Sequence, residues 1–171
     1  MTTPTSDAAG ALRAFGDTPE QIGVSLEKAF DRYEAALPGQ QARWLVSPAP
    51  DRWSPAQITE HVIIVNEGTA RVVGLLLSQK PLREVPQVPG TLVDGKRKAP
   101  AITEPGPGSA WSELEPRWQA SRAALLALVP QLAHADPERT YWQPFMGELG
   151  AADWMRLASY HMRNHLRQLE N

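Results

Sequence analysis

The sequence of 171 residues contains no cysteine. Disulfides, cysteine nucleophiles and cysteine-ligated zinc are therefore excluded as features of this chain. A chain without cysteine is consistent with a reducing compartment, and we expect the protein to be cytoplasmic.

The sequence also lacks a large excess of either charge and any long apolar run. The net charge is −2, and lysine and arginine form no continuous stripe, so a nucleic-acid partner is not expected. The longest apolar runs, Val62–Val65 and Val72–Leu77, fall far short of the roughly 20 residues needed to cross a bilayer. No apolar segment or early positive charge marks a signal peptide, so no membrane association is expected either.

Two similar start signals divide the chain into helices. Thr18-Pro19-Glu20-Gln21 and Ser54-Pro55-Ala56-Gln57 each combine a capping residue, a proline and a glutamine three positions after the cap. Apolar residues at helical spacing follow both signals, and the same pattern returns over residues 109–129 and 151–168. The chain therefore predicts four helices, the second running to about Gln79.

Residues 80–108 hold six of the sixteen prolines and four glycines, which excludes a helix there. Residues 1–17 are small, polar and aperiodic. We therefore predict a disordered N-terminal tail over 1–17 and one all-α four-helix bundle domain over 18–171. A long Pro/Gly-rich loop joins its second and third helices.

Three of the four histidines lie on the inner faces of the predicted helices. His161 and His165 are four residues apart on the last helix, a spacing that places two imidazoles on one face. His61 borders the apolar seam of the second helix. His134 lies in a connector, and we expect it to be exposed to solvent.

These three histidines suggest a divalent metal site. A metal ion would satisfy three buried lone pairs at once, and a three-histidine set leaves coordination positions open for water or substrate. Zinc, nickel and iron all accept imidazole, as does copper, and the spacing does not select among them. The alternative is that the three side chains are core histidines that bind no metal.

Four further polar residues lie near these histidines on the predicted helices. Gln168 lies three residues after His165 on the same face, where its amide could orient that ligand or lie in solvent. Gln57 is better explained as part of the helix cap. Glu60 and Glu67 do not share the face of His61, so a carboxylate ligand from this helix is not expected.

The segment Arg52-Trp53-Ser54-Pro55-Ala56-Gln57-Ile58-Thr59-Glu60-His61-Val62, together with His161-x3-His165-Leu-Arg-Gln168, resembles the DinB/YfiT-like superfamily of bacterial four-helix proteins. The approach to the last helix, Phe145-x-Gly147-x-Leu149-x3-Asp153-Trp154, is also similar. The resemblance spans residues 18–170.

The resemblance implies an up-down-down-up bundle, often a homodimer, with a divalent metal held by His61, His161 and His165. It also implies a small-molecule substrate, because characterised relatives include transferases and isomerases that use low-molecular-weight bacterial thiols such as bacillithiol or mycothiol. Some members of the superfamily have lost the metal ligands, and the triad does not identify the reaction.

The leading functional interpretation is a metal-dependent enzyme that transfers such a thiol to an electrophile, or a related hydrolase-like enzyme. No catalytic residue is identified beyond the ligands. Within the loop, Lys96, Arg97 and Lys98 form the segment best suited to contact an anion, although they also fit a solvated loop tip. The alternatives are a metal-binding or stress-response bundle without turnover, and a purely structural bundle.

Overall fold

Five α-helices and two short hairpins form residues 6–171, the part of the chain that the computed structural model describes. The helices are α1 (Ser6–Arg13), α2 (Pro19–Ala36), α3 (Pro55–Leu77), α4 (Trp111–Leu128) and α5 (Ala151–Glu170). Strand β1 (Leu92–Val93) pairs antiparallel with β2 (Lys96–Arg97), and β3 (Tyr141–Gln143) pairs antiparallel with β4 (Gly147–Leu149). Short 3-10 helices cover Pro38–Arg43, Ala101–Thr103 and Val129–His134.

Both predicted start signals form complete capping boxes. The hydroxyl of Ser54 accepts a hydrogen bond from the Gln57 amide at 3.3 Å, and the Gln57 side chain accepts one from the Ser54 amide at 3.1 Å. Thr18 and Gln21 make the same reciprocal pair at the start of α2. Each box satisfies two N–H groups that would otherwise lack partners. Helices α2 and α3 therefore begin at the positions that the sequence predicts.

Side-chain pairs between helices define their directions. The pairs are Asp31–Arg122 and Glu34–Trp118 between α2 and α4, and His61–His165 and Asn66–Met162 between α3 and α5. Residue numbers rise in one helix and fall in the other, so both helix pairs are antiparallel. Arg156 in the first half of α5 donates to the carbonyl of Gly16 before α2, and Arg43 after α2 donates to Leu169 near the end of α5. Helices α2 and α5 are therefore parallel, and the bundle has the predicted up-down-down-up order.

Apolar side chains from all four bundle helices form one core. Trp118 of α4 is fully buried, with its ring centroid 5.0 Å from that of Phe30 and 4.9 Å from that of Tyr33. Its indole N–H donates to the Glu34 carboxylate at 2.6 Å, which satisfies the polar edge of the buried ring. None of the helices in residues 6–171 combines the length and apolarity needed to cross a bilayer.

The N-terminal segment differs from the prediction of a disordered tail over residues 1–17. Ser6–Arg13 forms α1, and Leu12 is only 2% exposed against Met146, Leu149 and Leu157. An eight-residue helix is too short to be stable by itself, so α1 depends on the packing of Leu12. That packing leaves no signal in the local composition, which is why the helix was not predicted. The prediction is therefore wrong for Ser6–Arg13, and residues 1–5 lie outside the described part of the chain.

The long loop between α3 and α4 is held against the bundle. Asp94 and Gly95 have φ values of 50° and 74°, which is the tight turn expected for an Asp-Gly hairpin. The amide of Gly90 donates to the carbonyl of Pro144 at 2.8 Å, and the Trp142 indole donates to the carbonyl of Val88 at 3.1 Å. Hydrogen bonds to backbone carbonyls therefore fix the first half of the loop to the segment before α5.

Candidate metal centre

Helix α5 places two imidazoles side by side. His161 and His165 are four residues apart, and their Nε2 atoms lie 3.1 Å from each other. The core of the helix face is formed by Met155 and Met162, so the two histidines lie at the edge of that face rather than at its centre. Both are partly buried, in agreement with the predicted orientation.

Helix α3 supplies the third imidazole from the opposite side. Its capping box begins the helix two turns before His61, whose side chain is 4% exposed. Because α3 and α5 are antiparallel, this early position on α3 lies against the second half of α5. The Nε2 atom of His61 is 3.0 Å from that of His161. The structure therefore brings together all three histidines singled out in the sequence, and these three could hold a metal ion.

Two of the imidazoles are oriented by partners at the far side of the ring. His61 Nδ1 lies 2.7 Å from the carbonyl oxygen of Thr103, and His165 Nδ1 lies 2.8 Å from the side-chain oxygen of Gln168. Because both oxygens are acceptors, each Nδ1 carries the proton and donates it. The Nε2 atom of each neutral ring is then unprotonated, and its lone pair points to the centre of the cluster.

His161 cannot satisfy both of these lone pairs. Its Nε2 faces the other two, whereas its Nδ1 is buried and has no hydrogen-bond partner within the described residues. A proton on Nε2 could be donated well to one neighbour only, and one lone pair would remain unpaired. A cation satisfies all three, and two nitrogens each about 2.0–2.1 Å from one metal ion are separated by roughly 3 Å. The two separations from His161 fit a shared divalent ion, and the ligand atoms of the three residues all lie within 4.8 Å of one another.

Burial keeps these histidines neutral. Desolvation lowers the pKa of His61, while its hydrogen bond to Thr103 opposes the shift. Desolvation and then the charge of His61 lower the pKa of His165 to about 4. Desolvation lowers the pKa of His161 well below 6.5, helped by the positive charges of His165, His61 and Arg97. Because metals bind the neutral imidazole, protons do not compete for this cluster at pH 7.

The nearby carboxylates are directed away from the cluster. Glu60 accepts a hydrogen bond from the amide of Gly106 at 3.1 Å and pairs with Arg117 at 3.6 Å. Glu67 makes a closer bidentate pair with the same arginine, at 2.9 and 3.0 Å. As predicted, neither carboxylate joins the metal-ligand cluster identified among residues 6–171. An ion bound by the three histidines would keep positions open for exogenous ligands.

Residues 101–109 form a strap across the start of α3. Besides the contacts of Thr103 and Gly106 already given, the Gln57 side-chain amide donates to the Gly106 carbonyl at 3.1 Å. The Trp44 indole donates to the carbonyl of Ser109 at 2.8 Å. The role of Thr103 was missed in the sequence analysis because a backbone carbonyl leaves no side-chain signal. Only the prolines at 100 and 105 indicated a turn there.

The surroundings of the cluster are aromatic and tightly packed. The Trp53 ring lies 5.0 Å from the His61 ring, which assigns one of the six tryptophans to the site. A cavity of about 20 Å³ adjoins Trp53 and Gln168, a volume that holds a single water molecule. His134 lies at the exposed end of a 3-10 helix, outside the cluster, as expected.

Comparisons with known proteins agree with this architecture. The structure of TT2238, a four-helix bundle protein, is similar with a TM-score of 0.61 and 25% sequence identity, and the match covers 90% of this chain and 98% of that chain. No curated protein sequence matches the chain. The model of the DinB superfamily matches residues 25–169, which include all three clustered histidines. The chain therefore belongs to the DinB superfamily.

Proposed function

We propose that this protein is a divalent-metal-dependent enzyme that transfers a low-molecular-weight thiol to an electrophilic small molecule. The observation that carries the proposal is the convergence of three neutral imidazoles without a carboxylate among them. The Nε2 atom of His161 lies 3.0 Å from that of His61 and 3.1 Å from that of His165. Zinc, nickel and iron fit this donor set.

The bound metal would act as a Lewis acid that lowers the pKa of a thiol or a water molecule at its open positions. His61, His161 and His165 would hold the ion, while Thr103 and Gln168 fix two of the rings in the tautomer that ligation requires. The Trp53 ring, 5.0 Å from the His61 ring, would supply an apolar contact for a substrate at the site.

The sulfur nucleophile must come from a cosubstrate, because the chain contains no cysteine. In the proposed reaction the thiol loses its proton to water and its sulfur forms a bond to an electrophilic carbon. The bond from that carbon to the leaving group breaks, and the leaving group departs with the electron pair. With an epoxide, the ring oxygen takes the pair and is protonated by water.

A second candidate is a bundle that binds metal without turnover. The observation that favours it is the burial of the ligands, since His61 is 4% exposed and His161 and His165 are partly buried.

A thiol panel separates these candidates. Metal-loaded protein should accelerate transfer of bacillithiol, mycothiol, glutathione or coenzyme A to a chloroaromatic or an epoxide, and the rate should fall in metal-free protein and in His61→Ala alike. His134→Ala is the matched control and should keep the full rate. If the protein binds metal but shows no metal-dependent rate with any of these thiols, the non-catalytic function is favoured.

A further inference from the structure

A second cluster of charge lies beside the metal-ligand cluster, around the ring of Tyr160. The hairpin β1–β2 places the Arg97 guanidinium carbon 5.9 Å from the Tyr160 ring centroid and 5.5 Å from that of Phe145. Arg97 is exposed, so its N–H groups remain accessible from solvent while its guanidinium carbon lies over the rings. Tyr160 immediately precedes His161, so Arg97 lies over the start of the metal-binding segment.

Arg163 approaches the same tyrosine. Its guanidinium carbon is 5.4 Å from the Tyr160 ring centroid and 4.8 Å from that of Phe15. The Nε atom of Arg163 is buried and has no hydrogen-bond partner in the described part of the chain. A buried donor on a charged group is costly when it is left unpaired, and none of the described groups supplies an acceptor for it.

Neither arginine has an ion pair with a carboxylate whose side chain the structure describes, that is, within residues 10–171. The ion pairs among these residues involve Arg117, Arg122 and Arg156. Two positive charges therefore approach one aromatic ring without an ion pair to any of these carboxylates. Arg122, in contrast, is paired with Asp31 and Glu34.

This cluster of charge lies next to the proposed metal site along α5. Tyr160, whose ring both arginines approach, is the residue immediately before His161. An anion bound near Tyr160 would therefore lie close to the open positions of the proposed metal site. Lys96 and Lys98 flank Arg97 on the exposed hairpin and add to the same field.

We propose that Arg97 and Arg163 form an oxyanion-binding subsite for the substrate, which selects small molecules that carry a carboxylate or a phosphate group. A guanidinium presents a planar fork of N–H donors that matches both groups, and stacking on Tyr160, Phe145 and Phe15 orients the two forks in advance. The link to a metal-bound substrate rests on the proposed function, whereas anion binding itself does not.

The first test uses metal-free protein, so that it does not depend on the metal. Malonate and inorganic phosphate are titrated separately into the wild-type chain and into Arg97→Gln, with isothermal calorimetry as the readout. We expect saturable binding of at least one anion, weakened about ten-fold or more in the variant. Arg83→Gln is the matched control, because Arg83 is an exposed arginine of the same loop, and it should bind like the wild type.

Two further variants protect the test against effects on folding. Arg97→Lys keeps the charge but loses the fork, so its affinity should lie between those of the wild type and Arg97→Gln. Arg163→Lys serves the same purpose at the partly buried position. Tighter binding of malonate assigns a carboxylate to the subsite, and tighter binding of phosphate assigns a phosphate group. Absence of saturable binding by either anion, or equal weakening in Arg83→Gln, would overturn the proposal.

A second test links the subsite to the proposed metal site. In cobalt-loaded protein, the absorption bands of the metal report coordination of an added thiol. The thiols 3-mercaptopropionate and 2-mercaptoethanol differ in the presence of a carboxylate. We expect tighter coordination of the carboxylate-bearing thiol, with this preference lost in Arg97→Gln and kept in Arg83→Gln. Anion binding without any thiol coordination would retain the subsite and reject the proposed function, whereas thiol coordination without preference would reject the link.

Discussion

The Nδ1 atom of His61 lies 2.7 Å from the carbonyl oxygen of Thr103, a residue 42 positions later in the chain. This hydrogen bond sets the tautomer of the ring and directs its Nε2 towards His161 and His165. Gln168 has the equivalent relation to His165, at 2.8 Å. The candidate metal centre therefore depends on a loop carbonyl and on a glutamine as well as on the three imidazoles.

The role of Gln168 provides the first prediction. Gln168→Ala removes the acceptor that orients His165, and we expect metal affinity to fall about 10–100-fold while the fold is kept. Gln168→Glu supplies a carboxylate acceptor at the same place and should restore the affinity. Competition with a chromophoric chelator measures these affinities.

Gln131→Ala is the control for this prediction, because Gln131 is an exposed glutamine whose amide contacts only a local backbone carbonyl. It should leave the affinity unchanged. Equal affinities in the wild type and Gln168→Ala would show that Gln168 does not support the site.

The second prediction concerns pH in the metal-free protein. The pKa of His165 is about 4 in the folded state, against about 6.5 in an unfolded chain. The neutral ring therefore contributes stability that is complete above pH 6.5 and is lost as the pH falls towards 4, because the unfolded state takes up the proton first. Burial lowers the pKa of His61 and His161 in the same direction.

Urea unfolding at pH 7.5 and pH 4.5 measures this loss. We expect the free energy of unfolding to fall by at least about 2 kcal/mol, since each unit of pKa difference contributes about 1.4 kcal/mol per group. The decrease should be smaller in His165→Gln, which removes one titrating ring, and unchanged in His134→Ala. The same decrease in His165→Gln as in the wild type would contradict this account.

Metal removal gives a third prediction. A ligand that binds only the folded state stabilises it by roughly 3–4 kcal/mol at 100–1,000 times its dissociation constant. A chelator should therefore lower the melting temperature, and readdition of the ion should restore it. The helical circular dichroism signal should persist below that temperature, because the apolar core around Trp118 and Phe30 is independent of the site.

Two outcomes of the chelation experiment would count against this view. A melting temperature that does not change after confirmed metal removal would favour core histidines that bind no metal. Complete unfolding on metal removal would show that the core contributes less than its burial indicates.

Much of the architecture could be predicted from local signals. The capping boxes at Thr18 and Ser54 predicted two helix starts, because the cap and the glutamine bind free N–H groups of the first turn and proline fits the first helical position. The spacing of His161 and His165 correctly placed two ligand candidates on one face. His61 could be predicted as the third ligand candidate because it borders the apolar face of α3, which packs against another helix.

The features that were missed depend on contacts between distant segments. Helix α1 is stabilised by the packing of Leu12 on the last hairpin and α5, which no pattern within residues 1–17 reveals. Thr103 acts through its backbone, and Arg97 reaches Tyr160 only because the hairpin folds back on α5.

The most direct test of the central claim is the metal content of protein that has been purified without a nickel column or a histidine tag. Inductively coupled plasma mass spectrometry should find about one divalent ion per chain in the wild type and in His134→Ala. It should find little or none in His61→Ala and in the His161→Ala, His165→Ala double variant. Full occupancy in the double variant, or an empty wild-type protein after growth with zinc, nickel and iron, would contradict the three-histidine metal site.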